Sequence, residues 1–124
     1  MDNPRIILAD DVFSNRLLLQ NVLEELGYEC KMVENGKKLV DEFLANPYEI
    51  IFTDIEMPVM NGFEVVRYIR NLNDEVLRKT PVIALTAHNL KEFSSKLQSA
   101  TFDDILSKPY STNKFKDIIA KYLH

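Results

Sequence analysis

Five short apolar runs, at residues 5–9, 30–33, 50–53, 81–86 and 105–106, are each bounded by polar or turn residues and separated by stretches of helical spacing. Runs of this length read as buried strands, and the spacing between them leaves room for a helix in each gap. Strands joined by helical crossovers pair in parallel, and a parallel sheet is covered by helices on both faces. The alternation therefore restricts the chain to an α/β architecture. Leu19, Val22, Leu23 and Leu26 follow the i, i+3, i+4, i+7 pattern, as do Phe115, Ile118, Ile119 and Tyr122. Leu39 with Phe43, Val40 with Leu44, and Val65 with Ile69 and Leu72 predict two further helices, and Leu90, Phe93 and Leu97 a thinner, serine-rich one. Gly27 follows the first helix, Gly36 precedes the second and Gly62 opens the third, so the glycines punctuate the elements.

A chain of 124 residues has room for one domain, expected to span residues 1–124, and its 46% hydrophobic content is enough for a real core. Its net charge of -4, with lysines and arginines scattered along the sequence, disfavours direct binding to nucleic acid. The single cysteine, Cys30, rules out an internal disulfide and a multi-cysteine metal site, which fits a reducing compartment. The first residues carry Asp2 and Arg5 ahead of a short apolar run, unlike a signal peptide, and no stretch reaches the roughly 20 apolar residues of a membrane span. A cytoplasmic protein is expected.

In a sheet of this kind ligands gather beyond the carboxyl ends of the strands. The residues there are Asp10 and Asp11 after the first strand, Asp54 after the third, Thr86 after the fourth and Lys108 after the fifth. Acids following a strand commonly cap the next helix, and a lone Asp-Asp pair would imply no more than that. An aspartate, a threonine and a lysine at three further strand ends make capping an insufficient account. Three carboxylates about 4 Å apart repel by about 4 kcal/mol per pair at an effective dielectric near 20, so the cluster needs cations. Lys108 is one, and a hard divalent ion with few protein ligands, Mg²⁺ or Mn²⁺ rather than Ca²⁺, is the second. A carboxylate beside such an ion and a lysine can accept a phosphoryl group, with the Thr86 hydroxyl donating a further hydrogen bond.

Asp10-Asp11, the run Asp54-Ile55-Glu56-Met57-Pro58-Val59-Met60-Asn61-Gly62, Thr86-Ala87 and Lys108-Pro109 together resemble the receiver domain of response regulators and hybrid histidine kinases, essentially from end to end. The resemblance implies a flavodoxin-like (βα)5 three-layer sandwich whose five-stranded parallel sheet has the order 2-1-3-4-5. It implies that Asp54 is the phosphoacceptor, and that Asp11 binds Mg²⁺ directly, Asp10 through water and Glu56 through its backbone carbonyl. Thr86 and Lys108 would hold the phosphoryl oxygens, and the Lys108–Pro109 peptide would be cis, aiming Lys108 into the site. The expected partner is a histidine kinase or histidine phosphotransfer protein, and the face of the fourth helix, fifth strand and fifth helix is a candidate surface for a homodimer, with the oligomeric state left open by the sequence.

Two positions depart from the family pattern. Ile105 stands where a switching aromatic is usual, and Thr101 where a glycine commonly ends the fourth helix. Phosphorylation is then expected to act on the face of the fourth helix, fifth strand and fifth helix through packing around Ile105, with Thr86 as the other half of the switch. Glu56 and His88, each two residues beyond a site residue, flank the route of water to an acyl phosphate. For His88 a solvated loop position is an equal reading. Two alternatives differ in class: a pseudo-receiver that binds without being phosphorylated, and a metal-dependent phosphatase, for which Glu56 has the spacing of a second acid. The receiver pattern that follows Glu56 disfavours the phosphatase. With no output domain after His124, the chain is either a free-standing receiver or a piece of a larger protein, and its motifs lean toward the receivers of hybrid kinases.

Overall fold

The structure, a computed structural model, describes residues 5–86 and 101–123. Five strands form a parallel sheet: β1 (Ile6–Ala9), β2 (Cys30–Val33), β3 (Ile50–Asp54), β4 (Val82–Thr86) and β5 (Asp104–Ser107). Their order is β2-β1-β3-β4-β5, as expected. Between and after them lie α1 (Phe13–Glu25), α2 (Gly36–Ala45), α3 (Gly62–Arg70), a one-turn α4 (Glu75–Arg78) and α5 (Thr112–Tyr122). The predicted helix of Leu90, Phe93 and Leu97 falls outside the described residues, as does His88.

The alternation of side chains along each strand sorts the core into two layers. Ile6, Leu8, Ile50, Phe52, Ile83 and Leu85 face α1 and α5, where Leu19, Leu23, Phe115 and Ile119 meet them. Ile7, Ala9, Ile51 and Val82 face the other way, against Leu39, Val40 and Phe43 of α2 and Val65, Val66 and Ile69 of α3. β1 and β3 are buried along nearly their whole length because both faces are covered, which is why their sequences run apolar without interruption. β5 is longer than its two-residue apolar signal. Asp104 enters the strand because its carboxylate is satisfied by Lys121 Nζ (3.1 Å) and the Tyr122 hydroxyl (3.1 Å) from α5 and by the Ile105 N–H (2.9 Å).

The segment between β3 and α3 folds back tightly under the sheet edge. The Gly62 N–H donates to Ile55 O (2.8 Å), and Asn61 and Glu64 form a capping box that starts α3. Gly62 is there for close approach: a Cβ would lie 2.5 Å from the carbonyl oxygen of Asp54. Met60 N–H donates to Pro58 O (2.7 Å), which makes a γ-turn with Val59 at its centre at φ 70°. Val59 is the non-glycine residue with positive φ among those described, so Thr101 does not take the left-handed conformation its glycine counterpart would. Its carbonyl is instead held by Arg70 Nε at 3.2 Å.

Candidate functional site

The strand order reverses between β1 and β3, and the crevice at such a reversal is where doubly wound sheets bind ligands. β1 ends into Asp10 and Asp11, and β3 ends on Asp54. Parallel pairing of Ala9 with Thr53 sets those ends level, so the acids meet beyond one edge of the sheet. One carboxylate oxygen from each of Asp10, Asp11 and Asp54 lies within 4.8 Å of the other two.

Their surroundings differ. Asp10 is only 2% exposed, and its Oδ1 accepts from the Val12 N–H (2.9 Å) while its carbonyl accepts from Arg16 Nη1 (2.7 Å). It thus also satisfies a donor at the entry of α1, where Val12 makes no side-chain cap of its own. The capping role and the cluster role coexist in one side chain. Asp11 is exposed and Asp54 half-buried. Burial pushes the Asp54 carboxyl up to about 7, with Asp10 and Asp11 adding repulsion and the Ile55 and Glu56 N–H groups partly offsetting it. Asp10 is raised for the same first reason, and hydrogen bonds from Val12 and Asn15 and the charge of Lys108 oppose the shift.

An aspartate raised that far at a site lined by two more acids is a site short of positive charge. A divalent cation among three carboxylates would relieve the deficit, and the donor set is all oxygen, which suits Mg²⁺ or Mn²⁺. Asp11, Ile55, Glu56, Met57, Pro58, Asn61 and Phe63 line an open cleft of about 550 Å³ next to the cluster.

Thr86 ends β4, is 2% exposed, and its carbonyl accepts from the Lys108 N–H at 3.1 Å. Lys108 follows β5, is exposed, and precedes Pro109 through a cis peptide. Ile105 is half-buried beside Ile55 and Ala84, with Phe63 and Phe102 packed against the same group. Phe63 and Phe102 meet at a tilt with their ring centres 5.8 Å apart, so aromatic rings do line this region although position 105 is aliphatic.

Sequence reasoning missed Tyr110. Burial raises its hydroxyl, and the charges of Asp54 and Asp10 raise it further. Its edge meets Phe115 at 6.1 Å, and Phe115 in turn meets Phe52 at 5.1 Å. An aromatic two residues beyond Lys108 was the available signal. Asn15 and Arg16, one turn into α1, were missed because their roles depend on how α1 leaves the sheet.

A doubly wound parallel sheet with three acids at its topological switch point defines a class of α/β domains that handle charged ligands at the strand ends. Within that class, the chain belongs to the response regulator receiver domain family, whose profile matches residues 6–120. It is 31% identical over 120 residues, 96% of the chain, to the sensor histidine kinase GacS of Pseudomonas protegens, and 32% identical over 121 residues to RcsC of Salmonella typhi. The chain spans only about an eighth of those relatives, 13% and 12% of their lengths. The receiver domain of the sensor histidine kinase PA1611 from Pseudomonas aeruginosa, with a magnesium ion in its active-site cleft, superposes with a TM-score of 0.88 at 29% identity, covering 98% of both chains. The response regulator TrrA of Thermotoga maritima, in complex with Mg²⁺-BeF, gives 0.86 at 32% identity over 98% of this chain and 100% of its own. No helix among the described residues is long and apolar enough to cross a membrane.

Proposed function

We propose that the chain is the phosphoacceptor of a two-component phosphorelay and takes a phosphoryl group onto Asp54 from a phosphohistidine donor. The observation that carries this reading is the meeting of Asp54 with Asp10 and Asp11 at the switch point of the sheet, within 4.8 Å. Mg²⁺ would be held by Asp10, Asp11, Asp54 and the Glu56 carbonyl, and when bound it neutralises charge on the carboxylates and on the phosphoryl oxygens. A carboxylate oxygen of Asp54 forms the new O–P bond, the P–N bond of the donor breaks, and the departing imidazole keeps the electron pair and takes up a proton. Lys108 and the Thr86 hydroxyl take the equatorial oxygens, where charge accumulates. Glu56, exposed at the cleft, tunes the approach of water to the acyl phosphate.

The partner is a histidine kinase or histidine phosphotransfer protein. Val12, Phe13, Leu17 and Leu18 leave apolar surface exposed at the start of α1, directly after Asp11, and Phe13 is 70% exposed. Val59, in the loop that leads from Asp54 to α3, is 76% exposed. An apolar rim around a charged cleft suits a docking helix face that brings one histidine to Asp54. Phosphorylation is relayed through Thr86 and the packing at Ile105, and any homodimer uses that same face. As a signalling domain the chain assists its own phosphorylation and dephosphorylation without turning over small phosphate esters.

Intact mass after incubation with acetyl phosphate tests the proposal. One phosphoryl group is gained by the wild type with Mg²⁺, and none is gained by Asp54→Asn or in chelator. No gain by the wild type, together with no fluoroberyllate complex, would move the assignment to a binding module that is never phosphorylated.

A further inference from the structure

Lys114, in the first turn of α5, turns its ammonium back onto the loop that carries Lys108. Its Nζ donates to Ser107 O at 3.2 Å and to Pro109 O at 2.8 Å, the carbonyls on either side of Lys108. The backbone of the same residue is fixed from the other direction, because its N–H donates to the Ser111 Oγ that caps α5 (3.2 Å). Lys108 is therefore bracketed: its own N–H is tied to Thr86 O at 3.1 Å, and the carbonyls before and after it are tied to one half-buried cation on a helix.

From this geometry we infer that Lys114 is a positioning residue for phosphoryl transfer, acting only through Lys108. The inference rests on the reading of Lys108 as the group that holds a phosphoryl oxygen. A lysine side chain has four rotatable bonds, and an exposed one spends little time in any single direction. Fixing its Cα and both flanking carbonyls removes the backbone part of that freedom, so the ammonium returns to the same place whenever a phosphoryl group arrives. A lysine suits the clamp because an ammonium has three donors on one atom and can serve two carbonyls that converge on it. The helix also makes the clamp rigid, since Ser111 sets the first turn of α5 and Phe115, the next residue, is fully buried in the core.

The test uses acetyl phosphate as donor and intact mass as the readout of rate, with Mg²⁺ affinity measured separately by calorimetry. Lys114→Met keeps the aliphatic stem and the backbone cap but removes both hydrogen bonds. It is expected to slow phosphorylation of Asp54 about tenfold, the usual cost of losing a group that orients a site residue. Mg²⁺ affinity stays at the wild-type value, because Lys108 is not a metal ligand. Lys114→Arg restores most of the rate, and in a Lys108→Ala background Lys114→Met causes no further loss. Wild-type rate in Lys114→Met, a parallel loss of Mg²⁺ affinity, or a full additional loss in the Lys108→Ala background would each overturn the inference. A wild type that takes no phosphoryl group would instead overturn the proposed function itself.

Discussion

Asp54 pays for its position with a proton affinity far above that of a free aspartate. Its carboxyl is pushed up to about 7 by burial and by Asp10 and Asp11. Below pH of about 3.8 the folded and unfolded chains are both protonated at this group, and nothing is lost. Between there and about 7 the unfolded chain ionises first while the fold retains its proton, so stability in chelator falls as pH rises through that window, and the loss is complete above it. Asp54→Asn removes the conflict. It is expected to stabilise the metal-free protein at neutral pH by roughly 2 kcal/mol and to flatten the pH dependence of the urea midpoint, allowing for solvent screening at a half-buried group. An unchanged midpoint in the variant would mean that neither burial nor the neighbouring acids penalise the Asp54 carboxylate in the folded state.

Among the elements, the loop between β3 and α3 is the strained one. Val59 sits at φ 70° in a γ-turn, a conformation that costs a β-branched residue about 1–3 kcal/mol. Its side chain is largely exposed, so removing it forfeits little packing. Val59→Gly is expected to raise stability by about 0.5–1 kcal/mol in urea unfolding, with the strain relieved partly offset by glycine's backbone entropy. Arg70 does the opposite work at the far end of α3. Its guanidinium donates to Thr101 O (3.2 Å), Arg78 O (2.8 Å), Thr80 O (2.8 Å) and Asp103 Oδ2 (2.6 Å), which ties α4 and the entries to β4 and β5 together. Asp103 in turn accepts from the Val82 N–H at 2.8 Å. Arg70→Ala is expected to cost about 2–3 kcal/mol because it strands several acceptors at once. Arg70→Lys recovers only part of that, since one ammonium cannot span the fork. Equal stability of Arg70→Lys and the wild type would refute the network as described.

For the whole molecule, a cation held by the acid cluster would also be a stabiliser. A ligand that binds only the folded state adds about 2.7 kcal/mol at a hundred times its Kd, which for a domain this size raises Tm by about 10 °C. Mg²⁺ titrated against thermal unfolding at neutral pH is expected to show this rise in the wild type and a much smaller one in Asp11→Asn. A rise of the same size in both would argue that the cation binds elsewhere. The acids stand at the ends of β1 and β3, strands buried on both faces between the two core layers, so the site is fixed by well-packed strands and by the first turns and loops that follow them.

Much of this was legible in the order of residues. The uninterrupted apolar runs of β1, β3 and β4 and the 3.6-residue period in α1, α2, α3 and α5 follow from what must face a core, and the acids, Thr86 and Lys108 were legible because each stands at or just past the end of such a run. α4 was not legible, because four residues are too few to show a period, and Asp104 hid the start of β5 because its partners, Lys121 and Tyr122, lie a helix away in sequence. The sequence by itself determined the alternating elements, the two-sided sheet and which side chains stand at its carboxyl edge, since these depend on local spacing. Only the tertiary structure decided the proton affinity of Asp54, the spread of Arg70 over four partners and the grip of Lys114 around Lys108, because each depends on distances between groups far apart along the chain.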